Sequence, residues 1–399
     1  MHHRDASARP NRKLVWLMML ITLGMPLSGA FSTSEDSPSN AEEFCQYIDN
    51  LEFNGTKANA SIAWQVGLGP RVPGSNGSAA FRQNITMELD EAGWNVSTSS
   101  HISHGLNLTN VFARWNSTSG GTEQIVLSAH YDSRSQADQD LNESNRSLPV
   151  PGANDGASGV AVLLELAHHI PQMNLDYDVV LFLNDAEDQG NNYTLGAEAW
   201  ADNLTESEIN ATRAFILLDM IGDADLQLHN IQPGNETLKS VIVEMGTALG
   251  MVEGEVGCDG TFGSDIIQYD VMVGVIDDHI HPHNLGIPSI DLMDTAYGEP
   301  RMMTFGSYWH TMEDTPDKVS AESLEHVGRL VELGLRSDAF FELESPEEPD
   351  ALVDAKDDLV EPDSTEAEHN GSPRLATLAG LALLVVAVLL AMIEFKGKA

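Results

Sequence analysis

Gly152-Ala153-Asn154-Asp155-Gly156-Ala157-Ser158-Gly159 opens directly into the apolar run VAVLLELAHHI. Small residues let a backbone turn tightly and approach a ligand closely. Asp155 is therefore expected where a loop becomes a helix. An aspartate there can be a simple N-cap, but the flanking stretches point further. Upstream, EQIVLSAHYDS is an apolar strand finishing in His130-Tyr131-Asp132. Downstream, DVVLFLNDAEDQG finishes in Asp185-Ala186-Glu187-Asp188, and AFILLDMIGD places Asp219 at or near a strand end. Tyr308-Trp309-His310-Thr311 follows a loop rich in Met and Gly. Buried parallel strands read as continuous apolar runs, and open α/β sheets bind ligands beyond their strands' carboxyl ends. Strands that each finish in carboxylate or imidazole groups converge on one crevice.

Around this centre the pattern extends in both directions. AEEFCQYIDNLEF reads as an amphipathic helix, GPRVPGS as a turn-rich loop and AAFRQNITMELDEAG as a second helix. Strand-like WNVSTSSHIS, LTNVFARWN and EQIVLSAHY follow, then alternating strands and helices up to a closing helix in SAESLEHVGRLVELGLRSDAFF. This predicts an α/β domain over 41–341, with a mixed, mostly parallel central sheet and helices on both faces.

The two ends of the chain carry different signals. MHHRDASARPNRK is basic, LVWLMMLITLGM is apolar, and Ser28-Gly29-Ala30 supplies small residues for cleavage. Residues 1–30 thus read as a secretory signal, with an uncleaved anchor as the alternative. Residues 375–393, LATLAGLALLVVAVLLAMI, are uncharged and long enough to cross a bilayer. Lys396 and Lys398 place the 394–399 tail in the cytoplasm and the domain outside the cell. The acidic, Pro-containing 342–374 segment reads as a disordered stalk. A net charge of -41 excludes nucleic-acid binding. Cys45 and Cys258 could pair outside the cell, although spacing alone does not bring them together. Asn-x-Ser/Thr sequences such as those at Asn84, Asn95, Asn107, Asn142 and Asn203 agree with an exported chain.

The residues at the strand ends suit divalent metal chemistry. Zinc takes imidazole nitrogen and carboxylate oxygen as ligands, and a two-metal hydrolytic centre needs a bridging carboxylate and a base. His130, Asp155, Asp188, Asp219 and His310 are the candidate ligands, with Glu187 left as the base. Asp132, on the same strand face as His130, is placed to orient its ring. Other polar residues are assigned plainer roles: His168-His169 as a solvated helix end, and His281 and His283 as surface loop. Trp309 either lines a substrate pocket or packs.

GPRVPGS, SAHYDS, GANDGASG, the DAED box, LLDMIGD, DDH and YWHTMEDTPDKVS, in this order, resemble metallopeptidase family twenty-eight. That family comprises co-catalytic zinc aminopeptidases and carboxypeptidases and the related glutaminyl cyclases. The resemblance implies a zinc exopeptidase fold. It assigns His130, Asp155 and Asp219 to one zinc and Asp155, Asp188 and His310 to a second, with Asp155 bridging. Glu187 falls on the general base, and a cis peptide bond is expected after Asp155. One position departs: the family usually has Glu where this chain has Asp188, one methylene shorter. In the cyclases a single zinc uses the positions of Asp155, Asp188 and His310, and Glu187, Asp219 and Asp278 match their proton network. The expected function is removal of N-terminal residues from peptides by a two-zinc, membrane-anchored enzyme. The alternatives are a one-zinc glutaminyl-peptide cyclotransferase and an inactive binding ectodomain.

Overall fold

The computed structural model describes residues 41–341 and 343. The expected signal, anchor and tail, and all of the expected stalk except residue 343, lie outside the described residues. Among the described residues no helix is long and apolar enough to cross a membrane.

Helices α1 (Ala41–Phe44), α2 (Gly55–Gly67) and α3 (Asn76–Glu91) precede an antiparallel hairpin of β1 (Asn95–Ser103) and β2 (Leu106–Trp115). Next come β3 (Gln124–His130), α4 (Ala157–Met173), β4 (Asp178–Asn184) and the two-residue strands β5 (Asp188–Gln189) and β6 (Asn192–Tyr193). Helices α5 (Leu195–Ala201) and α6 (Glu206–Ala211) lead into β7 (Thr212–Asp219) and β8 (Leu228–Gln232). The remainder is α7 (Glu236–Ala248), β9 (Ile267–Gly274), α8 (Ile280–Asn284), β10 (Ser289–Met293) and α9 (Ala321–Arg336).

The main sheet runs β1-β2-β4-β3-β7-β10. Strands β4, β3, β7 and β10 are parallel neighbours, whereas β1 and β2 join antiparallel at one edge. Every residue of β3 and β4 is buried, which is why both read as unbroken apolar runs. Their side chains alternate between two cores. Ile125, Leu127, Val179 and Leu181 face a core shared with Ile62 of α2, Leu163 of α4 and Leu330 of α9. Val126, Val180 and Phe182 face a second core with Ala197 of α5, against which Trp200 also packs. Helices therefore cover both faces, and each fully buried Leu or Phe contributes roughly 1.5–3 kcal/mol.

Helix α4 crosses the sheet very closely. A Cβ on Gly159 would lie 2.2 Å from the Leu218 carbonyl oxygen on β7, so any larger residue pushes the helix off the strand. Gly156 makes the turn into α4 with φ 101°, and a Cβ there would meet the Asp132 carbonyl at 2.4 Å. The expected cis bond after Asp155 is absent. Among the described residues the cis peptide is Gln232–Pro233, and the reversal after Asp155 is made by Gly156.

One further expectation changes at the N-terminal edge, and the open question of the two cysteines is answered there. Residues 41–53 do not form one helix: α1 gives way to a 3-10 turn over Cys45–Asn50. The buried Glu332 carboxylate of α9 accepts the N–H groups of Glu52 and Phe53 at 2.8–3.0 Å, drawing that backbone out of helical pairing. Cys45 and Cys258 are joined, with Cα atoms 5.4 Å apart across 213 residues. The bond ties the N-terminal segment to the loop after α7.

Candidate metal centre

The sheet topology brings the charged strand ends to one side. His130 ends β3, the Asp185–Asp188 box follows β4, and Asp219 ends β7. Asp155 arrives on the loop before α4, and His310 from the segment before α9. Three residues at or next to these positions hold positive φ: Ala186 at 62°, Met220 at 48° and His310 at 55°. Such backbone costs of order 1–3 kcal/mol for each non-glycine residue and persists where the surroundings hold it.

The five candidate ligands form two triads that share Asp155. His130, Asp155 and Asp219 make one, and Asp155, Asp188 and His310 the other; in each, the ligand atoms lie within 4.8 Å of one another. His130 Nε2 is 3.1 Å from Asp219 Oδ1, a hydrogen bond, and 3.3 Å from Asp155 Oδ1. His310 Nε2 stands 2.9 Å from Asp188 Oδ2 and 3.6 Å from Asp155 Oδ2. Both of those oxygens are buried with no hydrogen-bond partner. Buried oxygens without a donor are costly, and a divalent cation is the group whose chemistry matches this donor set.

Asp132 sits behind the site. Its Oδ1 lies 3.4 Å from His130 Nδ1 and accepts the Glu187 N–H at 3.0 Å. Its Oδ2 accepts the Asp188 N–H at 3.3 Å and the Gln189 side chain at 2.8 Å. Burial works to raise this carboxyl, but His130, Gln189 and the Glu187 N–H outweigh it and hold it below its ordinary range.

Glu187 is buried and belongs to neither triad. Burial first, and the nearby Asp188 charge second, push its carboxyl well above the usual range, where it can take up and return a proton. Asp277, Asp278 and Asp291 are also buried. Desolvation raises Asp278 to about 7 and lifts Asp277 and Asp291 well above their ordinary value. A cavity of about 50 Å³ opens onto Glu187, Asp188 and Asp277, with Tyr193, Ile276 and Trp309 among its walls. The Trp309 ring stacks on His310, with centroids 3.4 Å apart.

Sequence reasoning missed several partners. Arg134 is buried; it donates to Asp188 Oδ1 in a close contact and to Asp138 Oδ2 at 2.7 Å. Asp314 accepts the N–H groups of Asn154 (2.8 Å) and Asp155 (3.3 Å) and the Tyr297 hydroxyl (2.9 Å), holding the Asp155 loop. Arg71 explains GPR: fully buried, it donates to the carbonyls of Tyr131, Pro151 and Gly152. Asp291 left one visible signal, a charged residue inside the buried strand SIDLM. His168 is exposed, but His169 corrects the solvated-end expectation: it lies buried, 2.9 Å from Glu165. His281 contacts Thr194 Oγ1 at 2.8 Å, and neither His281 nor His283 belongs to a triad.

The sequence pattern of peptidase family M28 matches residues 110–333, which hold both triads and Glu187. The chain belongs to that family. Among curated relatives, this M28 chain is 26% identical over 208 residues to aminopeptidase YwaD of Bacillus subtilis, covering 52% of this chain and 39% of the relative. It spans about two fifths of the length of the first curated relatives it matches. Among solved structures it is similar to a Zn-dependent exopeptidase from Parabacteroides distasonis, with 29% identity and TM-score 0.60 over 72% of this chain and 99% of that one. It is also similar to Tannerella forsythia glutaminyl cyclase, with 27% identity and TM-score 0.62 over 71% and 98%. The M28 scaffold thus hosts both hydrolytic and cyclising relatives, and fold alone does not choose between them.

Proposed function

We propose that the chain is a zinc-dependent enzyme acting on the N-terminal residue of peptides, and that its reaction is cyclisation of N-terminal glutamine with release of ammonia. The observation that carries this reading is the group of buried acids near Glu187: Asp277, Asp278 and Asp291 are buried, and both carboxylate oxygens of Asp278 and of Asp291 lack a hydrogen-bond partner. A reaction without attacking water still needs carboxyls that keep and pass protons. A single cation held by Asp155, Asp188 and His310 would also answer the unpartnered Asp155 Oδ2.

In this mechanism Asp155, Asp188 and His310 hold the ion, which when bound would polarise the oxygen of the side-chain carboxamide. Trp309 and Ile276 wall the cavity in which the reacting residue would sit. The substrate's own α-amine attacks the carboxamide carbon, closing the ring. Glu187 takes a proton from that amine and delivers it to the amide nitrogen, which leaves as ammonia. Asp132 fixes Glu187 and Asp188 through their backbone N–H groups.

Hydrolysis by an aminopeptidase is the second reading, favoured by the completeness of the His130–Asp155–Asp219 triad. There Glu187 would deprotonate water and Asp155 would bridge two ions. Stepwise zinc addition to metal-stripped protein separates the two. Full turnover at one ion per chain supports cyclisation, whereas a requirement for two ions supports the peptidase and overturns the first reading. The signal at 1–30 and the apolar 375–393 segment are the support for an exported enzyme on a C-terminal anchor.

A further inference from the structure

We propose that the exposed asparagines in Asn-x-Ser/Thr sequences of this domain, Asn95, Asn107 and Asn203 among them, are acceptors of N-linked oligosaccharide. Fourteen of the twenty-four asparagines in the chain stand two residues before Ser or Thr, none with Pro between. Aspartate supplies an internal control. It has nearly the same shape and caps helices equally well, so a purely structural use of the pattern would enrich Asp-x-Ser/Thr alike. Only three of thirty-one aspartates have Ser or Thr at that position. The enrichment follows the amide, the group that accepts sugar.

Placement in the fold separates the asparagines further. Thirteen of the fourteen fall on described residues; eight of these are exposed, five are half-buried and none is buried. The three buried asparagines, Asn110, Asn154 and Asn184, all lack the pattern. Where a sequon asparagine caps a helix, as Asn54 and Asn235 do, the capping atom is Oδ1 and not the nitrogen that would carry sugar. No sequon occurs between residues 236 and 341, although the pattern recurs throughout 54–235. That clear stretch supplies the cavity walls Val275, Ile276, Phe305 and Trp309 and the exposed Met272 and Met302.

The transfer takes a lipid-phosphate-linked oligosaccharide as donor. Asparagine Nδ2 bonds to the sugar's anomeric carbon, the bond from that carbon to the phosphate oxygen breaks, and the lipid phosphate leaves with the electron pair. The amide nitrogen gives up one proton. The inference is independent of the reaction proposed above. Its test is peptide mass mapping of the full chain isolated from the cells that make it naturally. Peptides bearing Asn95, Asn107 and Asn203 are expected to carry oligosaccharide. Ser97→Ala, an exposed change away from the metal centre, should abolish the addition at Asn95 alone and leave turnover unchanged. Exposed sequon peptides at their unmodified masses would overturn the proposal, as would an addition at Asn95 that survives Ser97→Ala.

Discussion

Replacing Asp132 by Ala removes a fully buried carboxylate while leaving every candidate metal ligand itself in place. Two backbone N–H groups, of Glu187 and Asp188, lose their acceptor, while the Gln189 side chain keeps its bond to the Ser133 carbonyl at 3.0 Å. Each unpaired buried donor costs about 1–3 kcal/mol, giving about 2–6 kcal/mol in all. For a domain of this size that lowers the melting temperature by about 5–15 °C. The loss depends on pH. Because the folded state holds this carboxyl below its unfolded value, its contribution is present above the unfolded pKa and fades as pH falls through the folded one. Parent and variant should therefore differ at neutral pH and converge only in acid. The same N–H groups position Glu187 and Asp188, so turnover well below the melting temperature should fall about 10²-fold or more, as misplaced catalytic groups do. Calorimetry at several pH values beside turnover is the assay. A variant that melts within a degree or two of the parent and turns over normally would refute the role given to Asp132.

Glu187→Gln keeps size but cannot accept a proton; it should retain metal while losing about 10²–10⁴-fold in turnover, and loss of the metal would show Glu187 to be a ligand. Asp155→Asn, at the position shared by both triads, should lose metal and activity together, measured by elemental analysis; full metal retention would contradict its placement. Cys45→Ser should cost about 2–5 kcal/mol in denaturant unfolding, and an unchanged midpoint would mean the bond constrains nothing. Protease applied to intact cells should cut within the expected 342–374 stalk and release active domain; protection until lysis would reverse the orientation.

Much of the centre was legible because polar residues interrupt apolar strands at their ends. His130, Asp188 and Asp219 each follow a continuous buried run, and the small residues around Asp155 announce a close turn. The parallel pairing of β3 with β4 and β7 follows from the alternation of strands and helices. The supporting groups were not legible for a physical reason: their partners are remote in sequence. Asp314 reaches the N–H of Asn154 across 160 residues, and Arg134 meets Asp188 across 54. Nothing in a local window distinguishes such residues from surface charge in a chain holding sixty-one acids. The disulfide was left open for the same reason. The N-terminal helix was overextended because Glu332, far along the chain, competes for its backbone N–H groups.

The most direct measurement is the product formed from a peptide with N-terminal glutamine, followed by mass spectrometry with an ammonia assay. Cyclisation predicts a peptide lighter by one ammonia, an equal amount of ammonia released, and no free glutamine. Free glutamine together with the shortened peptide would contradict the cyclisation reading and assign the site to peptide hydrolysis.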